Sequence, residues 1–315
     1  MKMALAVKTK AKPQKKKPLT LKGVVIDLFK LYVFYVLLSL IIIFGIKDKL
    51  VLFPSADMSW KTCLPILDRD LKCQTSELSI PTLNGNKLAG LYIKNPRSKF
   101  LTIVNHGNAG NIGHRIVIAA NLIGAGSSVL LYDYQGYGES GGQAKLSNLV
   151  PDARAAYDYA TNKLGYPSSS IILYGESIGC GVTSGVMKER TPRAFILQSP
   201  FVSLMKTAKD KLFFMRTLPD FIDPEPQLNN LASVEKAHPP LLLMHGDKDI
   251  TLPCKYSQEL YEKASQPKQI YLVKGADHND IYCRSDNSVL LTLKNFIESI
   301  SSQSANQANQ QIQER

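Results

Sequence analysis

The chain is expected to fold as an α/β protein: a mostly parallel sheet flanked by helices, with a small cap insertion and one N-terminal transmembrane helix ahead of it. Three observations point there. From about Ser79 onward, short apolar runs alternate with helical stretches, the pattern of a sheet wound with crossover helices. Most of those runs are unbroken rather than alternating, as strands buried on both faces require. Residues 24–46 (VVIDLFKLYVFYVLLSLIIIFGI) are apolar apart from Asp27, Lys30 and Ser39.

As a helix, residues 24–46 would reach about 34 Å, against a bilayer core of about 30 Å. Lys30 would snorkel toward the headgroups, with Tyr32 and Tyr35 near the interface. No small-x-small cleavage site follows the run, so an uncleaved anchor is preferred to a signal peptide. The charge supports this assignment. The chain carries 38 Lys+Arg against 26 Asp+Glu, a net +12 over 315 residues. Eight of those cations (Lys2, Lys8, Lys10, Lys12, Lys15, Lys16, Lys17, Lys22) stand in residues 1–23 with no acid among them, which leaves 30 − 26 = +4 for the rest. A basic face spread over a folded domain would suggest nucleic acid; a lysine leader before an apolar run suggests membrane orientation. The partners expected are a lipid bilayer and no nucleic acid. The positive-inside rule puts the N-terminus in the cytoplasm and residues 47 onward on the other side.

The strands are expected over 88–93, 100–105, 128–134, 171–174, 194–198, 241–245 and 269–274, and the helices over 151–163, 178–188, 257–264 and 288–301. The last helix places Val289, Phe296, Ile297 and Ile300 along one side, with Asp286 or Ser288 as N-cap. Residues 201–237 interrupt this rhythm with an apolar cluster (Phe213, Phe214, Met215, Leu218, Phe221, Ile222) and read as the cap. Residues 301–315 are polar and read as a disordered or loosely helical tail.

The strand at 171–174 runs straight into Gly175-Glu176-Ser177-Ile178-Gly179 and then a helix, the strand–turn–helix setting of a G-x-S-x-G nucleophile elbow. Ser177 must occupy a strained turn, and Gly175 and Gly179 relieve the crowding that a Cβ would cause there. The helix start aims the Ile178 amide at a developing oxyanion. Candidate partners follow in the order acid, then histidine. Asp247 and Asp249 lie just past one strand end, and His278 past the next, where ligands collect in open α/β sheets. His278 would take the proton from Ser177, and a carboxylate would hold its imidazole. Upstream, the glycine-rich strand end His106-Gly107-Asn108-Ala109-Gly110-Asn111 would supply a second oxyanion amide from Asn108, braced by the Asn108 side chain and His106. Gly136-Tyr137-Gly138-Glu139-Ser140-Gly141 is a literal G-x-G-x-x-G, but helix signals resume only near Leu149, too late for a pyrophosphate to meet a helix N-terminus.

These motifs, with Asp133-Tyr134-Gln135-Gly136-Tyr137-Gly138-Glu139-Ser140-Gly141, Ser199-Pro200-Phe201 and Gly275-Ala276-Asp277-His278-Asn279, resemble the membrane-attached α/β-hydrolase-domain serine hydrolases over roughly residues 79–300. The resemblance implies the α/β-hydrolase fold, a single N-terminal anchor, and no metal or organic cofactor. It also implies Asp249 as the acid, the last position of an H-G-x-x-D stretch. The chain departs at Cys180, where relatives often carry glycine. Some relatives are fatty-acyl thioesterases attached through an N-terminal cysteine cluster, which this leader lacks.

The organisation expected is a basic leader (1–23), an anchor (24–46), a connecting segment (47–78), the hydrolase domain (79–300) and the tail. The activity expected is cleavage of a small ester, thioester or lipid-like acyl substrate. A serine peptidase of the same fold and a non-catalytic membrane scaffold are the alternatives, and the oligomeric state stays open. Among the five cysteines, Cys63–Cys73 and Cys254–Cys283 are candidate bridges, with buried thiols as the alternative.

Overall fold

The computed structural model describes residues 20–223, 225–283 and 286–313. Residues 1–19 of the leader lie outside them. The chain divides into two compact units, residues 1–45 and 46–315. In the first, α1 (Leu21–Ile41) is capped by Thr20, whose side chain accepts from the Gly23 amide. Apart from Lys22, Asp27 and Lys30 its exposed side chains are largely apolar, Leu21, Val25, Phe29, Leu31, Phe34 and Ile41 among them. Lys30 meets Asp27 one turn away at 3.5 Å. A π-helical turn (Ile42–Ile46) leads into α2 (Lys47–Val51). The helical run therefore covers Leu21–Val51, extending the expected anchor at both ends.

The second unit contains the sheet. After β1 (Phe53–Pro54) and α3 (Leu64–Leu71) come β2 (Gln74–Pro81), β3 (Lys87–Lys94), β4 (Leu101–Asn105), β5 (Ala109–Gly110), α4 (Ile116–Gly124), β6 (Ser128–Tyr132) and α5 (Leu146–Asn162). Then follow β7 (Ile171–Glu176), α6 (Ile178–Met187), β8 (Ala194–Gln198), α7 (Leu204–Lys211), α8 (Asn230–Val234), β9 (Leu241–Gly246), α9 (Lys255–Lys263), β10 (Lys268–Val273) and α10 (Ser288–Gln313). Eight strands form one sheet in the order β2-β3-β6-β4-β7-β8-β9-β10. The pairs β2–β3 and β3–β6 are antiparallel and the other five parallel.

The unbroken apolar runs fold as expected because both sheet faces are covered. Along β7, Ile171 and Leu173 pack toward α5, α6 and α9, while Ile172 and Tyr174 pack toward α4 and α10. Val289, Phe296, Ile297 and Ile300 are buried on one side of α10, and Asp286 Oδ1 accepts the Ser288 amide at 3.1 Å.

Four differences from the expected elements have physical causes. β2 begins in the expected connecting segment and crosses into the expected domain; it is an edge strand, mostly exposed, so its residues lack an apolar run. α4 is a short helix buried against the sheet, apolar around most of its circumference, and so shows no periodic contrast. α5 starts at Leu146 and carries Pro151 inside it. α10 runs on through the polar tail to Gln313.

Candidate active site

Ser177 follows the last residue of β7, in the middle of the sheet, and adopts φ 54°, ψ −115°. A side-chain-bearing residue in that region stores on the order of 1–3 kcal/mol of strain. Its surroundings hold it there: the Ser177 amide donates to Gln198 O at 2.9 Å, and Ser177 O accepts from the Cys180 amide at 3.0 Å. The flanking glycines are obligatory. A Cβ on Gly179 would stand 1.9 Å from Asn105 O, and one on Gly175 2.6 Å from Cys180 Cα. Ile178 is the first residue of α6, so its N–H belongs to the open helix N-terminus. Cys180 tolerates the tight turn because its thiol is buried and donates to Gly175 O and Gln198 O, both at 3.2 Å.

His278, on the loop after β10, brings Nε2 to 3.2 Å from Ser177 Oγ. Its Nδ1 lies 2.6 Å from Asp249 Oδ2. The structure separates the two aspartates left open by the residues alone. Asp247 Oδ1 instead accepts the Gly275 amide at 2.7 Å, pinning the two loops together. Burial pushes the Asp249 carboxyl up, but hydrogen bonds from His245 and His278 and from the Leu252 amide outweigh it and hold it well below the usual carboxylate range. An ionised Asp249 fixes the proton of His278 on Nδ1 and leaves the Nε2 lone pair toward Ser177.

His245 is a contributor that sequence reasoning missed. It is fully buried, with Nε2 3.0 Å from Asp249 Oδ2 and 2.7 Å from Leu252 O. Both neighbours are acceptors, so Nε2 carries the proton, and Nδ1 accepts the Ser257 hydroxyl at 2.7 Å. The i, i+4 spacing of His245 and Asp249 around a strand end was the available signal.

The loop after β4 is held to the elbow by Glu176. Its carboxylate accepts the Gly107 amide at 3.0 Å and the Arg115 guanidinium at 2.7 and 3.2 Å, and Arg115 also donates to Ala109 O at 2.6 Å. His106 and the Asn108 side chain brace the loop as expected: His106 Nδ1 donates to Gly107 O at 2.7 Å, and Asn108 Nδ2 to Val51 O at 2.7 Å. The G-x-G-x-x-G run is a turn that closes over Asp133. A Cβ on Gly138 would stand 2.1 Å from Asp133 Oδ2, and α5 begins only at Leu146.

The cap cluster divides. Met215 and Leu218 are buried, whereas Phe213 and Phe221 are exposed, as is Ile250 beside Asp249; the side chain of Phe214 lies outside those described. Lys211 Nζ reaches Ile250 O at 3.5 Å. Cys254 and Cys283 are separate thiols, half-buried and exposed respectively, so the bridge envisaged between them is not formed. The Cys63 side chain lies outside those described. Among the described residues, no three His, Cys, Asp or Glu side chains converge as a metal site.

A family model described as serine aminopeptidase, S33, matches residues 96–230. An uncharacterized protein of Mycobacterium tuberculosis is 32% identical over 255 residues, covering 80% of this chain and 87% of that one. Human alpha/beta hydrolase domain-containing protein 17B is 31% identical over 208 residues, covering 64% of this chain and 68% of the human one. The chain belongs to the α/β-hydrolase-domain family. Solved structures agree on the fold of this α/β hydrolase. A Pyrococcus furiosus esterase superposes with a TM-score of 0.63 at 20% identity, covering 79% of this chain and 98% of its own. Est1E of Butyrivibrio proteoclasticus with bound ferulic acid gives 0.60 at 22%, covering 71% and 99%. The matched family model and the hydrolase-domain relatives make the protein a hydrolase of this fold.

Proposed function

We propose that this α/β hydrolase cleaves a carboxylic ester or thioester, with Ser177 as nucleophile, His278 as general base and acid, and Asp249 as the group that orients the imidazole. The observation that carries the reading is the continuous hydrogen-bonded line from Asp249 Oδ2 through His278 to Ser177 Oγ, at 2.6 and 3.2 Å. As Ser177 Oγ bonds to the carbonyl carbon, its proton passes to His278 Nε2. The new oxyanion is received by the amides of Asn108 and Ile178. Collapse breaks the bond to the alcohol or thiol, which takes the proton from Nε2 and leaves an acyl-enzyme. Water then attacks the acyl carbon, giving a proton to His278 Nε2; the second intermediate collapses by breaking the bond to Ser177 Oγ, which takes that proton back, and the carboxylic acid departs.

Exposed Phe213, Phe221 and Ile250 favour an acyl or lipid-like substrate. The apolar run Leu21–Val51 supports a single-pass anchor, and the lysine leader supports a cytoplasmic N-terminus with the hydrolase domain on the opposite side. Protease protection of residues beyond 47 in sealed vesicles tests that orientation; digestion from the cytoplasmic face reverses it.

Labelling with a fluorophosphonate probe tests the chemistry. Wild type is expected to label, and Ser177→Ala and His278→Ala are expected not to; equal labelling of Ser177→Ala removes the reading and leaves a scaffold. The S33 description of the matched family keeps a peptidase as second reading. Turnover of p-nitrophenyl acyl esters and acyl thioesters over aminoacyl p-nitroanilides favours the first, and the reverse order favours the second.

A further inference from the structure

The segment that leaves the apolar helix is bound directly to the loop carrying Asn108. β1 pairs in parallel with β5, Phe53 opposite Ala109 and Pro54 opposite Gly110. The Phe53 amide donates to Asn108 O at 2.9 Å, and the Ser55 amide to Gly110 O at 2.9 Å. Asn108 Nδ2 returns a bond to Val51 O at 2.7 Å, and Asn111 Nδ2 donates to Asp57 O at 2.6 Å. Asn108 O accepts a second bond from the Tyr137 hydroxyl at 2.7 Å. The segment is anchored at its own ends as well. Leu52 is buried in the core, Asp48 Oδ1 accepts the Leu146 amide at 2.8 Å, and Lys47 pairs with the buried Glu225 of the cap.

We infer that residues 47–55 are a positioning element of the active site: they set the direction of the Asn108 amide, so that oxyanion stabilisation depends on how the membrane-proximal segment is seated. The Asn108 N–H lies in the Gly107–Asn108 peptide plane, whose carbonyl is held by His106. The next plane and the Asn108 side chain are held by Phe53 and Val51. With the planes on both sides of Asn108 fixed, its φ and ψ are fixed, and the amide cannot turn from the nucleophile. Without the outer ties, Tyr137 alone holds Asn108 O, so ψ of Asn108 is released, and the Gly107–Asn108 plane rests on His106 and on the Glu176 contact to the Gly107 amide, which leave the N–H room to tilt. An oxyanion donor is effective only at about 2.7–3.1 Å from the developing charge, so small rotations are expected to lower kcat while leaving substrate binding intact. The inference rests on Ser177 as nucleophile and Asn108 as oxyanion donor.

The test uses the full chain in detergent micelles or vesicles, with a p-nitrophenyl ester. Phe53→Pro deletes the N–H that binds Asn108 O. The Phe53 side chain is exposed and Leu52 is already extended (φ −103°, ψ 127°), as the residue before a proline must be, and the ring Cδ that replaces the N–H hydrogen displaces Asn108 O. Phe53→Ala, which keeps the N–H, is the comparison. Relative to Phe53→Ala, Phe53→Pro is expected to lose about tenfold in kcat, less than the loss of a whole oxyanion donor, with KM within twofold. The Ki of a trifluoromethyl ketone, whose adduct oxygen occupies the oxyanion position, should weaken in step with kcat/KM. Asn108→Ala, which cuts the tie to Val51 and keeps the amide, should behave alike and serves if Phe53→Pro does not fold. Equal kcat and equal Ki in the folded variants overturn the inference. Ser177→Ala in the same assay separates the failures: if it retains turnover, the nucleophile reading fails first; if it is inactive, equality of the Phe53 variants removes only the positioning role.

Discussion

His245 and His278 both donate to one oxygen of one carboxylate, Asp249 Oδ2, at 3.0 and 2.6 Å. The other oxygen, Oδ1, accepts the Leu252 amide at 2.7 Å. Asp249 therefore stays ionised although it is almost wholly buried. His245 in turn is fixed by Ser257, so Asp249 is held by a chain of fully buried side chains. His245→Ala should lower kcat about tenfold or more by loosening Asp249, with KM little changed, and should cost about 1–3 kcal/mol of stability for the unpaired buried groups. Steady-state kinetics and urea unfolding check both; a rise in KM with unchanged kcat contradicts the positioning role.

Asp133 offers a test by pH. It is fully buried beneath the Asn108 loop, Oδ1 accepts the Ile112 amide at 2.8 Å, and Oδ2 has no hydrogen-bond partner among the described residues. Burial pushes its carboxyl from 3.8 up to about 7. A raised carboxyl favours the protonated form in the fold, so its contribution is fully present below the unfolded value and is lost as pH rises through about 7. Asp133→Asn mimics the protonated form and still accepts from Ile112. Between pH 5 and pH 8 its stability should gain on wild type by on the order of 2 kcal/mol. Parallel Tm profiles for the two proteins would contradict this.

Gly179→Ala should yield no soluble folded protein, because its Cβ would meet backbone, Asn105 O at 1.9 Å, rather than a side chain able to move. Gly85→Ala is the contrast: no atom lies within 4 Å, so the cost is only that of its positive φ of 84°, about 1 kcal/mol. Soluble yield and thermal melts of the pair distinguish packing from conformational strain.

The thiols should differ sharply in reactivity. Cys283 is exposed, whereas Cys180 is fully buried and burial pushes its thiol well up. Iodoacetamide on native protein, followed by peptide mass spectrometry, should modify Cys283 and leave Cys180 unmodified until denaturant is added. Cys254 and Cys283 should both be alkylated after denaturation without reductant, since no bridge joins them.

The strands β4, β6, β7, β8 and β9 were legible because burial on both faces forces an unbroken apolar run, and the partly exposed β3 and β10 because each still carries a short cluster of apolar and aromatic residues. The nucleophile was legible because an elbow needs Gly175, Ser177 and Gly179 at fixed spacing. β2 and α4 were not, one being an exposed edge and the other apolar around most of its surface, so neither shows a periodic contrast. Asp249 and Asp247 flank the same strand end with the same chemistry. Only the turn that sends one carboxylate to His278 and the other to the Gly275 amide tells them apart.

Composition and local pattern were thus enough for the α/β class, the apolar N-terminal helix, and the placing of the serine, two candidate acids and the histidine just past the ends of β7, β9 and β10, since each depends on spacing along the chain. The ties from residues 51–55 to Asn108, and the convergence of His245 with His278 on Asp249, arise from the folded chain. Backbone amides and carbonyls bind without regard to side-chain identity, and a buried histidine is recognised as a support only when its neighbour across a loop is known. Both are contacts between segments distant in sequence or turned back on themselves, and the free energy that forms them comes from closing the core rather than from any local motif.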